Sequence, residues 1–296
     1  MEPLAHEGMG RLLGLQNRCT PLVLGADAGA KLLPVSELGN GGALKLGRRK
    51  LELPPQPLGR DTTQTPFLAV SNEIAVIDGA ASHHPRKLVE MLEMARKEAG
   101  WQRLLYAPAV EPAEMPLLAY LGVDLFDSLT AELRSVAGFR LEQGDWIPDG
   151  KATAAGNLKA LAIWLARIRT ALEQGLLREL VERTALHNPR VTQLLHHSRD
   201  LLVTRGVRRA TEIRAGALSF DHPAVVEWRG RLERFVPPAE EMVLLLLPCS
   251  ARKPYHWSNS HRRFHRTLRS LNNWLALHVV SVTSPLGLVP RELEML

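Results

Sequence analysis

From Thr65 onward, short apolar runs alternate with segments whose apolar residues recur at helical spacing, and this alternation leaves few architectures open. Phe67–Val70 and Ile74–Ile77 predict short strands. Pro85–Ala99 carries Leu88, Met91, Leu92 and Ala95 on one side and predicts a helix that Gly100 stops. Leu104–Ala107 then reads as a strand, Glu111–Leu121 as a short helix, Val123–Phe126 as a strand and Thr130–Ala137 as a helix. Strands separated by helices are joined by crossovers, and crossovers produce parallel neighbours, so the expected class is α/β with a parallel sheet.

The flanks of this region differ from it. Residues 1–64 are rich in Gly and Pro and hold short apolar stretches such as Pro21–Leu24 and Ala43–Leu46, which predict short strands and turns. Asp145–Ala155 reads as a polar connection. After it, Leu158, Leu161, Ala162, Leu165, Ile168 and Leu172 fall on one face of a long helix, and Leu176–Arg183 and Pro189–Leu202 continue the helical region. Arg205–Ala217 predicts a basic linker or strand, with a domain boundary near Val203–Arg214, so two domains are expected over residues 1–205 and 206–296. The second would hold a helix at His222–Phe235, closed by Pro237 and Pro238. A strand (Met242–Leu247), a loop (Pro248–Ser260), a helix (His261–Leu275), a strand (His278–Val282) and a loop (Thr283–Leu288) would follow.

Several classes of protein are disfavoured by composition. The longest uninterrupted apolar run, Met242–Leu247, is far shorter than the ~20 residues that cross a bilayer, and the N-terminus is acidic where a secretory signal would be basic. A cytoplasmic protein with no membrane contact is expected. Cys19 and Cys249 are the two cysteines, without the paired spacing of a zinc site or a disulfide framework, so neither metal nor cofactor is expected. The net charge of +6 favours a polyanionic partner, and its distribution strengthens the argument. No acidic residue occurs from Met242 to Arg291, while Arg252, Lys253, Arg262, Arg263, Arg266, Arg269 and Arg291 are basic.

Ligands of open α/β sheets sit beyond the carboxyl ends of strands, where Pro248–His261 leaves the apolar run. That loop offers a thiol, a guanidinium, an ammonium, a phenol, hydroxyls and imidazoles. Were His278–Val282 parallel and adjacent, Thr283 and Ser284 would leave the sheet beside Cys249. Cys249, near Arg252, Lys253 and a helix start, is a candidate nucleophile or a small packing residue. Arg252 and Lys253 suit catalysis, solvation or phosphate contact. His256 and His261 suit proton transfer or helix capping. In the following helix, Phe264, Leu268, Leu271 and Leu275 share an apolar face expected to be core. Arg262, Arg266 and Arg269 lie opposite, placed for RNA phosphates or simply for solvent.

Pro248-Cys249, Lys253-Pro254-Tyr255, Ser258 and His261, in that spacing, resemble the signature of archaeosine synthase, the archaeal paralogue of tRNA-guanine transglycosylase. Ser260–Phe264 and Thr283–Glu294 agree with the family's flanks. Upstream, Tyr106-Ala-Pro-Ala, Pro116–Ser128 and Gly175–Glu182 resemble the later strands and a following helix of the transglycosylase barrel. The resemblance covers Thr65 to the C-terminus. It implies a partial or degenerate TIM-barrel-like first domain and a second, three-layer α/β domain similar to uracil-DNA glycosylase. It also implies addition of an amine nitrogen, with lysine as donor, to the nitrile of 7-cyano-7-deazaguanine in tRNA. Catalysis would fall to Cys249, Lys253, Tyr255, Ser258 and His261; Pro248, Ser250, Pro254 and Ser284 would contact substrate. Arg252, Arg262, Arg263, Arg266 and Arg269 would contact RNA. A radical S-adenosylmethionine partner would complete archaeosine. The Cys-x-Cys-x-x-Cys cluster of zinc transglycosylases is missing, so base exchange is not expected. Relatives continue beyond the Pro-Arg-Glu-Leu-Glu segment into RNA-binding modules including a PUA domain, which a separate subunit would supply here. Two other readings remain: a non-catalytic tRNA-binding subunit of a split enzyme, and modification of a deazaguanine in DNA.

Overall fold

The structure is a computed structural model that describes residues 3–15, 18–24, 30–32, 43–46, 49–52, 68–70, 72–77, 83–206, 213, 216–237 and 243–295. Most of the expected Arg205–Ala217 linker, and Phe67 and Met242 at the ends of expected strands, lie outside these residues. The chain divides into two compact units, Met1–Glu212 and Ile213–Leu296.

The centre of the first unit is a five-stranded sheet. Leu22–Leu24, Leu125–Asp127, Leu104–Tyr106 and Ile74–Ile77 run parallel in that spatial order, and Leu68–Val70 is added antiparallel at the edge. That last strand departs from the parallel expectation because residues 71–73 are too short for a crossover, which needs about a dozen residues. Ile74, Ala75, Val76 and Ile77 are all fully buried, the signature of a strand covered on both faces. The helix Pro85–Ala99 covers one side, with Pro85 in its first turn and Gly100, at φ +63, closing its end. Its buried Leu88, Met91, Leu92 and Ala95 are the residues that periodicity singled out.

Short antiparallel strands at Pro3–Glu7, Gly10–Leu15 and Arg18–Cys19 form a meander, and Ala30–Leu32, Ala43–Leu46 and Arg49–Glu52 form another. Asp145–Ala155 is not merely a connection: Asp145–Pro148 pairs with Phe139–Glu142 as a hairpin. Gln143 and Gly144 both take positive φ, 51° and 99°, the two-residue turn whose twist suits a hairpin. Helices Ala154–Gln174, Leu177–Ala185, Pro189–His197 and Arg199–Arg205 follow, with a break at Ser198 inside the stretch expected to be continuous.

Charges buried in this unit are spent on structure. Asp124 accepts from Arg11 at 2.9 Å through both carboxylate oxygens, from Arg96 at 2.7 Å and from the Leu105 backbone N–H at 2.8 Å. Glu7 accepts the N–H groups of Leu177 and Arg178 at 2.6 and 2.9 Å, capping the helix they start.

The second unit holds a three-stranded sheet. Val243–Pro248 and Leu277–Thr283 are parallel, and Gly287–Pro290 returns antiparallel where a loop was expected, through a turn with Gly287 at φ +88. Alternation along the middle strand puts His278 and Val280 on one face and Leu277 and Val279 on the other. Phe235, just past the helix Pro223–Leu232, meets His278 edge-on at 5.7 Å, whereas the helix Asn259–Leu268 lies over Leu277 and Val279.

Two expectations fail here. The helix predicted as His261–Leu275 ends at Leu268, because Ser270, Asn272 and Asn273 favour turns through their side-chain hydrogen bonds. Leu271 and Leu275 therefore leave the helix and stand exposed, and the expected apolar core face does not form; His261 is the buried residue of this helix. The apolar strand Val243–Pro248 is also far from wholly buried: it is a sheet edge, with Leu244 at 61% and Leu246 at 52% exposure.

Candidate functional site

Pro248 pairs with Val282 in the parallel register, so Cys249 and Thr283 leave the sheet side by side at the carboxyl ends of their strands. Cys249 is exposed with a free thiol, and Thr283 is buried. The loop after Cys249 folds back through a single 3-10 turn, Tyr255–Trp257, which buries Tyr255 against this strand end. The Tyr255 phenol is hydrogen-bonded to Thr283. Burial pushes its pKa up, the charges of nearby Cys249 and Glu294 push the same way, and the Thr283 bond opposes them. The phenol therefore keeps its proton at neutral pH.

His261, 1% exposed, stacks on Tyr255 with ring centroids 5.7 Å apart and planes at 26°. Its Nε2 lies 2.9 Å from the Pro248 carbonyl oxygen. A carbonyl can only accept, so Nε2–H donates, and Nδ1 is buried without a partner. Glu294 reaches the same place from the C-terminal turn Arg291–Leu293. Its side chain is 1% exposed; Oε2 accepts the backbone N–H of His256 at 3.0 Å and lies 2.7 Å from His256 Nδ1. Oε1 is buried and has no partner. A carboxylate whose second oxygen is unsatisfied in a desolvated place is costly unless a ligand uses it.

Of the residues singled out in the sequence, Cys249, Tyr255 and His261 gather here, and Lys253 joins them with Nζ 5.6 Å from the centre of the Tyr255 ring. Ser258 is buried and caps the helix Asn259–Leu268, its Oγ accepting the His261 N–H at 3.2 Å. Pro248 holds His261 through its carbonyl, and Pro254 precedes the 3-10 turn. Ser250 donates to the Arg252 carbonyl oxygen at 3.0 Å, which shapes the loop and leaves the Arg252 side chain exposed. Ser284 follows Thr283 but faces solvent. Arg262, Arg263, Arg266 and Arg269 are exposed along or at the end of the helix; Arg269 does not oppose an apolar core face but stands over Trp274, 5.5 Å from its ring centroid.

Thr283 was expected beside Cys249 but given no role, Glu294 was named only as the end of a flanking segment, and His256 was weighed without Glu294. The available signal was subtle: Glu292 and Glu294 are the first acids after the acid-free stretch. Among the described residues no cluster of His, Cys, Asp and Glu is arranged to hold a metal, and no helix is long and apolar enough to cross a membrane.

Residues 225–296 match a sequence family described as a domain of unknown function, DUF5591. Longer similarities extend into the first unit. The chain is 31% identical over 215 residues to archaeosine synthase of Methanocaldococcus jannaschii, covering 71% of this chain and 37% of that protein. It is 34% identical over 194 residues to archaeosine synthase subunit alpha of Thermococcus kodakarensis, covering 63% and 34%. With archaeosine synthase subunit alpha of Thermoplasma acidophilum it shares 26% identity over 272 residues, 88% of this chain and 52% of that one. The matches thus span about a third to a half of the length of these relatives. Similarity of this extent, running through both units and through the loop that bears Cys249, makes the chain a member of the archaeosine synthase family.

Proposed function

We propose that this chain modifies tRNA, and that its second unit adds an amine, lysine, to the nitrile carbon of 7-cyano-7-deazaguanine held in that RNA. The observation that carries the reading is the convergence, at the ends of two parallel strands, of an exposed thiol with buried phenol, imidazole and carboxylate groups. The names of the relatives support the tRNA product. In this reading the first unit is a partial transglycosylase-like barrel and the second resembles uracil-DNA glycosylase. A radical S-adenosylmethionine enzyme takes the product onward, and a PUA-bearing subunit adds RNA contact.

The chemistry balances without a redox partner. The Cys249 sulfur bonds to the nitrile carbon, the triple bond becomes C=N, and the nitrogen takes a proton from the Tyr255 phenol, whose pKa is raised. The amine then adds to the same carbon and gives up a proton to the Glu294–His256 pair. The C–S bond breaks, sulfur leaves as thiolate, and the pair's proton returns to the phenolate. The net change is amine plus nitrile to amidine. Direct attack by the amine gives the same sum with sulfur omitted.

Cys249→Ser separates the two routes. Cys249 is exposed, so the change costs little packing. Lysine-adduct formation on tRNA carrying 7-cyano-7-deazaguanine should fall by at least ~100-fold if sulfur is the nucleophile, with RNA affinity unchanged. Retained turnover removes the covalent step. No turnover by either protein, with or without added subunits, favours a tRNA-docking role.

A further inference from the structure

A small groove lies on the sheet face opposite His278, away from the Cys249 end. Its floor is Leu277 and Val279, its walls are His265 on the helix and Trp274 on the following turn, and Arg291 and Glu292 close its rim. The volume is about 170 Å³. Sites for whole drug-sized ligands run from ~300 Å³, so this groove suits one flat ring. Trp274 is half-buried, with the Arg269 guanidinium over its ring and His265 edge-on at 6.2 Å. Arg262 and Arg269 lie three residues before and four after His265, on the same side of the helix. Acid is scarce around it: among the described residues Glu292 is the one carboxylate lining the groove, and the sequence has none from Met242 to Arg291.

We propose that this groove binds one unpaired nucleotide of RNA, its base stacked on Trp274 and its phosphate held by Arg269. The inference rests on the reading of this unit as RNA-engaging, and it names a second nucleotide position distinct from the reactive one. Val279 stands four residues before Thr283 on one strand, which at ~3.3 Å per residue places the groove ~13 Å from the Cys249 strand end. A flat aromatic ring beside cations and above an apolar floor is the combination by which single-stranded nucleic acid is held, because every base offers a stacking face and every nucleotide a phosphate. His265 adds to this. Burial and the charges of Arg291, Arg269 and His256 lower its pKa, so at neutral pH it offers a base edge one donor and one acceptor.

The test uses the full chain and a fluorescent, unmodified single-stranded RNA 12-mer without amine, its affinity read by anisotropy across a salt series. Trp274→Ala should weaken binding by about 5- to 150-fold, one lost stack, with the slope of log K against log salt unchanged. Trp274→Phe should recover most of the loss. Arg269→Gln should make the slope shallower by about 0.7. The same sequence in a duplex, whose bases are not free to stack, should show no dependence on Trp274. Equal affinity of wild type and Trp274→Ala, absent RNA binding by the wild type, or displacement of the RNA by an aromatic peptide would each overturn the proposal. Because the probe carries no nitrile, failure of amine addition with the Trp274 effect intact counts against the catalytic reading alone.

Discussion

The two units bury charge in different ways. In the first, carboxylates are matched to permanent cations or helix N–H groups: Asp124 to Arg11 and Arg96, Glu114 to Arg190 at 2.7 Å, Glu7 to a helix start. Arginine does not release its proton near neutrality, so these pairs hold strands and helices together and can do little else. In the second, the buried carboxylate Glu294 faces an imidazole, His256, rather than a guanidinium; an unpartnered carboxylate oxygen is found in both units, on Glu114 and on Glu294. Its neighbours are an exposed thiol and a protonated phenol. Burial alone therefore does not mark a site in this chain; the kind of partner does.

Replacing Asp124 by Asn tests the structural half of that contrast. It leaves the buried Arg11 and Arg96 charges uncompensated and should cost ~3–5 kcal/mol of stability, measured by denaturant unfolding. A loss below ~1 kcal/mol would mean that the first unit's charges are not structural, and the contrast would break.

Glu294→Gln probes the other half. Amine addition should fall ~100-fold while RNA affinity holds, since a general base contributes ~10²–10⁴. Raising the pH toward 10 should restore part of the rate, because an amine with a pKa near ~10.4 then arrives neutral without a base. A merely structural glutamate predicts no such rescue.

The smallest effect concerns His265, whose pKa is lowered by burial first and then by Arg291, Arg269 and His256. A lowered folded value means that its contribution to stability is present above the unfolded pKa, near ~6.5, and is lost as pH falls toward the folded one. Unfolding of the wild type between pH 7.5 and 5.5 should therefore show a slight loss that His265→Gln lacks. Glu292, which also lines the groove, would mute it. Identical pH dependence of the two proteins would remove His265 from the account.

The amino-acid sequence by itself determined the alternation of strand and helix, because periodicity and terminators are local properties. Pro85–Ala99 with Gly100 is the plainest case. It also determined the loop that bears Cys249, Lys253, Tyr255 and His261, since their spacing is written in the chain. The Gln143-Gly144 hairpin was missed, because a polar, Gly- and Pro-containing segment reads as a loop until the paired strands are considered together. Only the tertiary structure decided that Leu244 and Leu246 stand exposed on an edge strand, because an apolar run does not say how many neighbours its sheet provides. Only it brought Glu294 to His256 across 38 residues and Thr283 to Tyr255. Such pairings depend on parallel register and on where a distant turn closes. They are long-range facts, and no local pattern of residues encodes them.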